Sequence, residues 1–124
     1  MTYAARPAAV STLQEITLPM SLDVSWTRQA REDLLRIYVL IGLEQPAAAE
    51  RYYDRIERKA LLLAEQPKLG ARREDIRPGL RMLIEHPYVI LYRTIPDTDD
   101  DAVTSVQIVR VVDGRQDLPG LLYP

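Results

Sequence analysis

The sequence predicts an α+β fold with an N-terminal strand, an antiparallel helical hairpin and then a three-stranded antiparallel sheet. Three observations carry that prediction. Leu22-Asp23-Val24-Ser25-Trp26 alternates apolar and polar residues, the period of a half-buried strand. Residues 28–66 are amphipathic at helical spacing on both sides of Pro46. Residues 80–112 hold strand-like runs, of which Tyr88-Val89-Ile90-Leu91-Tyr92-Arg93 and Val106-Gln107-Ile108-Val109-Arg110-Val111-Val112 are the clearest. A helical hairpin with one apolar stripe per helix must cover one face of the sheet those strands form.

Along the chain, Thr27 is placed to cap a first helix, and Ala30, Leu34, Ile37 and Ile41 fall on one face of it up to Leu43. Pro46 fits the first turn of a second helix, where its missing N–H would be unpaired anyway. Ala49, Tyr53, Ile56, Ala60 and Leu63 continue that helix to Gln66, and Pro67 with Gly70 stops it. Lys68 to Pro78 reads as a loop. Leu80 to Ile84 and Tyr88 to Thr94 read as a β-hairpin turning at Glu85-His86-Pro87, and Ile95 to Asp101 as an acidic connection to a last strand, Val103 to Val112.

A chain of 124 residues, 47% hydrophobic and 27% charged, suffices for one core and excludes wholesale disorder. Zero cysteines and a single histidine, His86, exclude thiol chemistry, disulfides, Cys-based zinc sites and a His-pair metal site, so no cofactor is expected and a reducing cytoplasm suits the chain. Among the residues there is no apolar run of the ~18 needed to span a membrane. Residues 1–19 lack the apolar centre of a secretory signal and read as an extension, either disordered or upstream of a natural start at Met20; residues 20–124 read as one domain.

A net charge of -2 argues against a protein whose main work is holding nucleic acid, which needs clustered surplus base. The cations are nonetheless uneven: Arg72, Arg73, Arg77 and Arg81 lie close together, while Asp97, Asp99, Asp100 and Asp101 concentrate acid. Arg93 and Arg110 sit inside strands, either as exposed side chains whose stems cover apolar surface or as neighbouring cations on the helix-free sheet face. His86 reads as an exposed turn residue without an evident partner. Tyr52, Tyr53, Tyr88 and Tyr92 lie on helix or strand periodicities and read as packing groups rather than base-stacking platforms. Leu34, Tyr38 and Ile41 are expected to border an apolar groove beside the hairpin, open to a partner helix.

The order of elements and the residues within them resemble the RelE/ParE superfamily of bacterial type II toxins from about Asp23 to Leu122. The resemblance is carried by Ala30 with Asp33-Leu34, by Ile76-Arg77-Pro78-Gly79-Leu80-Arg81, by Tyr88 through Tyr92-Arg93, and by Ile108-Val109-Arg110-Val111 followed by Gly114-Arg115-Gln116-Asp117. It is closest to the ParE branch, the plasmid stabilisation toxins. That branch implies a growth-arresting inhibitor of DNA gyrase that acts by binding and is neutralised by a cognate antitoxin. The antitoxin implied is of ribbon-helix-helix type and forms a hetero-oligomer with the toxin, so that DNA is touched only through the complex.

The resemblance further implies target contacts at Arg110, Arg115 and Asp117. Antitoxin contacts are implied at Leu34, Tyr38, Ile41, Arg72, Arg73, Arg77, Arg81 and Arg93. The alternative is the RelE type, a ribosome-dependent mRNA endonuclease, whose chemistry requires basic groups around the scissile phosphate. Here the corresponding places look like Leu80, Met82 and Val89. Arg115 matches a catalytic arginine of that branch, but the tyrosine expected beyond it is displaced to Tyr123, so no catalytic residue is assigned. Many ParE members carry His where this chain has Asp113. A third reading is a non-toxic module that keeps the fold and binds an antitoxin-like partner.

Overall fold

The computed structural model describes residues 22–122, so the expected extension at 1–19, a start at Met20 and the displaced Tyr123 lie outside the described residues. The elements run β1 (Asp23–Trp26), α1 (Arg28–Gly42), α2 (Pro46–Leu61), a 3-10 turn (Leu62–Ala64), β2 (Ala71–Arg72), β3 (Arg81–Glu85), β4 (Tyr88–Ile95), β5 (Ser105–Asp113) and α3 (Leu118–Leu122). The α+β class and the helical hairpin are as expected.

The sheet differs from expectation. It has five strands in the order β1-β5-β4-β3-β2, and β1 runs parallel to β5 while the other pairs are antiparallel. A strand run carries no mark of the direction of its partner, so the mixed pairing follows from where the chain returns. Ala71–Arg72, inside the expected loop, pairs with β3. The second helix gives way at Leu62 to a 3-10 turn instead of continuing to Gln66. The short α3, which pins Leu118 into an apolar cluster, carried no periodic signal over its five residues.

Apolar residues occupy both faces of the central strand β4. Ile90 and Tyr92 join Leu34 and Ala30 of α1 and Ile56 and Ala60 of α2 in the larger cluster. Val89 and Leu91 join Ile76, Leu80, Val112 and Leu118 in a second cluster on the other side. Burial on both faces explains why β4 reads as a continuous apolar run rather than an alternating one. Leu34 is only 1% exposed and belongs to this core, which removes it from any partner groove.

A register shift at Leu91/Tyr92 pairs Leu91 with Arg110 but Tyr92 with Ile108, leaving Val109 as the extra residue of a bulge. Ile108 and Val111, three positions apart, thereby both face the helices. Strict alternation would have put them on opposite faces.

Beyond Ile108, β1 has ended and the outer edge of β5 lacks a neighbouring strand. The start of α1 takes its place. Thr27 N–H donates to Ile108 O at 3.0 Å and Thr27 Oγ1 donates to Val109 O at 2.9 Å. The same Thr27 hydroxyl accepts from Ala30 N at 3.0 Å, so the expected cap also closes a sheet edge. Asp33, 2% exposed, continues the edge by accepting from Val111 N at 3.0 Å.

Candidate functional site

The turn between β3 and β4 and the segment following β5 come together because Tyr88 pairs with Asp113 and Gly114 N–H donates to Pro87 O at 2.8 Å. Between them lies a cavity of about 400 Å³, into which Met82, Ile84 and Val89 of the sheet, Leu118 of α3, and Arg73, His86 and Arg115 all face. Grouping Arg73 and His86 with Arg115 was not legible in the sequence, since 42 positions separate the two arginines and no spacing rule links them.

Each arginine is held by a carboxylate two residues away. Arg115 Nε bonds Asp113 Oδ1 at 2.9 Å, with Arg115 Nη2 on Asp113 Oδ2 and Arg115 N–H on Oδ1. Those bonds hold the Asp113 carboxyl down at about 2. A carboxyl lower in the folded chain than its ordinary 3.8 contributes order that is present above that value and lost as pH falls through about 2. NMR titration of the Asp113 carboxyl should therefore find its midpoint near 2, with the Arg115 Nε–H signal losing its bonded shift over the same range; a midpoint at the ordinary value would refute the pair.

Across the cavity, Arg73 Nε and Nη2 bond Asp75 at 2.8 and 2.7 Å, and Arg73 holds Asp75 below the usual carboxylate range. Arg73 Nη1 lies 3.3 Å from Met82 Sδ. Leu80 and Val89 are buried in the apolar cluster beneath, with Met82 packed against it. Burial pushes the Tyr88 hydroxyl up, with the Asp113 charge adding to the shift.

The remaining expected site residues divide. Arg110 does not join Arg93 in an open clamp: its Nε and Nη2 reach Asp33 on α1 at 2.7 and 3.0 Å. The β5 bulge and the end of β1 bring those groups together, and the pair is largely enclosed, so Arg110 is a structural arginine. Arg93 is exposed and bonds Gln107 Oε1 at 2.7 Å.

Arg72 and Arg81 do not present a bare basic face either. Arg72 Nε bonds Asp99 at 2.9 and 3.0 Å and its Nη2 bonds Asp97 at 2.9 Å. Arg81, 5% exposed, bonds Gly70 O at 3.0 Å and Asp99 at 2.6 Å. Asp99 is consequently held below its usual range, by Arg72 first and Arg81 second. The acidic connection expected after β4 thus lies against the basic segment, joined also by Lys68 Nζ on the main-chain oxygens of Asp99 and Asp101. Arg77 is half-buried, and Asp117 is exposed just ahead of α3, its main-chain oxygen accepting from Leu121 N.

On the helical hairpin, Tyr38 bonds Glu50 and meets the Tyr53 ring edge-on at 5.5 Å, and Ile41 is half-buried. Its open apolar residues include Leu35, Val39 and Leu43, which are 58%, 50% and 76% exposed, and Tyr38 lines a groove with Val39 and Leu43 as expected. Leu35 and Val39 lie one residue along from the expected Leu34 and Tyr38, a rotation of about 100° on a helix. Asp33 is the structural anchor that sequence reasoning left without a role. Its signal was present, because a carboxylate three residues after Ala30 falls on the apolar side of α1.

The family model described as ParE toxin of type II toxin-antitoxin system, parDE, matches residues 24–118. The chain is 38% identical to Toxin ParE3 of Caulobacter vibrioides over 74 residues, 60% of this chain and 67% of that protein. Its fold is similar to a chain of the chromosomal ParDE toxin-antitoxin system from P. aeruginosa, with a TM-score of 0.60, 26% identity, and 76% of this chain and 97% of that one covered. It is also similar to a chain of the RelBE2 toxin-antitoxin complex from Mycobacterium tuberculosis, with a TM-score of 0.51, 27% identity and coverage of 75% and 98%. Matched over most of its length by the family model and similar in fold to a chain of each of these two structures, this chain belongs to the ParE toxin family of type II toxin-antitoxin systems.

Proposed function

We propose that this toxin arrests growth by binding DNA gyrase, without catalysis of its own, and that a cognate antitoxin neutralises it. The observation that carries this reading is the apolar identity of Leu80, Met82 and Val89 on the helix-free side of the sheet. Apolar groups there cannot stabilise a developing phosphorane or move a proton to and from a ribose hydroxyl. The arginines nearby are each bound to a carboxylate, which supports recognition over phosphate activation. Arg115 and Asp117 at the cavity rim are the target contacts in this reading; Arg110 serves them indirectly by fixing β5 to α1.

For the antitoxin, the stripe Leu35, Val39 and Leu43 offers anchors one turn apart to an amphipathic helix. Of the cations expected to meet an acidic antitoxin, Arg93 is the exposed one, since Arg72 and Arg81 are engaged by the acidic connection and Arg73 by Asp75. The relatives being parts of toxin-antitoxin complexes supports a partner of this kind, and a hetero-oligomer as the resting state.

Purified toxin should inhibit gyrase supercoiling, and Arg115→Ala should fold normally while losing most of that inhibition and its toxicity on expression. Arg115 is 75% exposed in its side chain, so its replacement costs little stability. Loss of soluble protein would show a structural arginine instead. The endonuclease reading is favoured by one observation, the convergence of His86, Arg73 and Arg115 on a single cavity. Codon-position cleavage of mRNA by toxin added to translating ribosomes would establish that reading and overturn the first.

A further inference from the structure

The cavity between the β3–β4 turn and the C-terminal segment contains a partly exposed donor that meets only a weak acceptor within the protein. Arg73 Nη1 faces the Met82 thioether at 3.3 Å, and thioether sulfur is a weak acceptor. Asp75 engages only the Nε and Nη2 edge of that guanidinium. On the facing wall Arg115 leaves most of its side chain in solvent. Between the two, Ile84 near the end of β3 is 54% exposed and stands beside Met82 on the cavity floor. Cations at the rim above an uncovered apolar floor describe a ligand with two chemistries.

We propose that this cavity receives a protein segment in which a carboxylate stands beside a large apolar side chain. The carboxylate takes Arg73 Nη1 and the open edge of Arg115, and the apolar group lies on Ile84 and Met82. This deepens the reading of the chain as a toxin that acts by binding, and rests on it. A nucleic-acid strand fits less well. Asp75, Asp113 and Asp117 cancel the local cations, the whole chain carries -2, and a polyphosphate requires surplus positive charge. A single carboxylate needs only one free guanidinium edge. The volume of about 400 Å³ is at the small end for ligand pockets and holds one large side chain with its neighbour.

The test is an NMR titration of the full chain with N-acetyl-tryptophyl-glutamate amide, against its glutamine analogue, inorganic phosphate and an RNA octanucleotide. Saturable shifts of the Arg73 and Arg115 Nε–H signals and the Ile84 methyls are expected, with the glutamine analogue about fivefold weaker or worse. Ile84→Ser and Arg73→Gln, checked for intact fold by their remaining amide spectra, should each weaken the dipeptide by a similar factor. No shift at these groups, equal binding of the glutamine analogue, or tighter binding of phosphate or RNA at the same groups would overturn the proposal. The titration contains no gyrase, so its outcome is independent of the supercoiling assay: a toxin that spares gyrase yet binds the dipeptide would sink the target reading alone.

Discussion

Asp33→Ala should destabilise the protein by about 3–5 kcal/mol, the range for removing one partner of a buried ion pair. The carboxylate is 2% exposed and accepts from Arg110 Nε and Nη2, from Val111 N–H and from Gln29 Nε2 at 3.2 Å. Alanine leaves the Arg110 guanidinium enclosed without its counter-ion and strips the Val111 amide of the partner that replaces a missing strand. The Arg36 guanidinium, 3.5 Å away, adds an ion pair but is too exposed to contribute much. Urea unfolding should show a lower midpoint with an unchanged slope. Asp33→Asn, which keeps an oxygen for Val111 N–H, should fall between wild type and alanine. A loss below about 1 kcal/mol for Asp33→Ala would mean that the α1–β5 anchor is not a strong one.

Gly70 and Tyr92 form the second sensitive point. Tyr92 is fully buried, its hydroxyl accepts from Gly70 N at 2.7 Å and donates to Pro67 O at 2.9 Å, and Gly70 O accepts from Arg81. Tyr92→Phe leaves an amide and a carbonyl without that partner, each worth about 1–3 kcal/mol when buried, so a loss of about 2–4 kcal/mol is expected. A Cβ on Gly70 would stand 2.7 Å from Met82 O and 2.7 Å from Tyr92 Cε1. Gly70→Ala should therefore cost about 1–3 kcal/mol or more through backbone displacement. The clash with Met82 O does not depend on the tyrosine hydroxyl. Combining Gly70→Ala with Tyr92→Phe should therefore not restore stability, and a rescued double variant would place the strain on the hydroxyl alone. Thermal unfolding of the three variants decides between these outcomes.

Both sites connect the fold to the candidate function. Asp33 and Arg110 fix β5, which carries the segment leading to Arg115. Gly70, Tyr92 and Arg81 fix the chain entering the Arg73 segment against β3. The cavity walls are thus mounted on tied parts of the sheet, while Ile84 and Arg115, which line the cavity, are more than half exposed.

The sequence by itself determined the elements that depend on local chemistry. Alternation marked β1, helical spacing marked α1 and α2, Thr27 and Pro46 marked their starts, and the motifs from Ala30 with Asp33-Leu34 through Gly114-Arg115-Gln116-Asp117 together marked the family. What it left open depends on contacts between distant residues. Parallel pairing of β1 with β5 and the β5 bulge decide which face a side chain takes, and these moved Arg110 from an expected target contact to an enclosed partner of Asp33. The rotational position of α1 in the core removed Leu34 and exposed Leu35, Val39 and Leu43, because a stripe of about 100° cannot be located to one residue from spacing alone. The pairing of Arg72 and Arg81 with Asp97 and Asp99, and the meeting of Arg73, Ile84, His86 and Arg115 around one cavity, arise only when the sheet forms. Opposite charges and apolar groups attract over a few ångströms, and only the tertiary fold brings residues so far apart in the chain within that range.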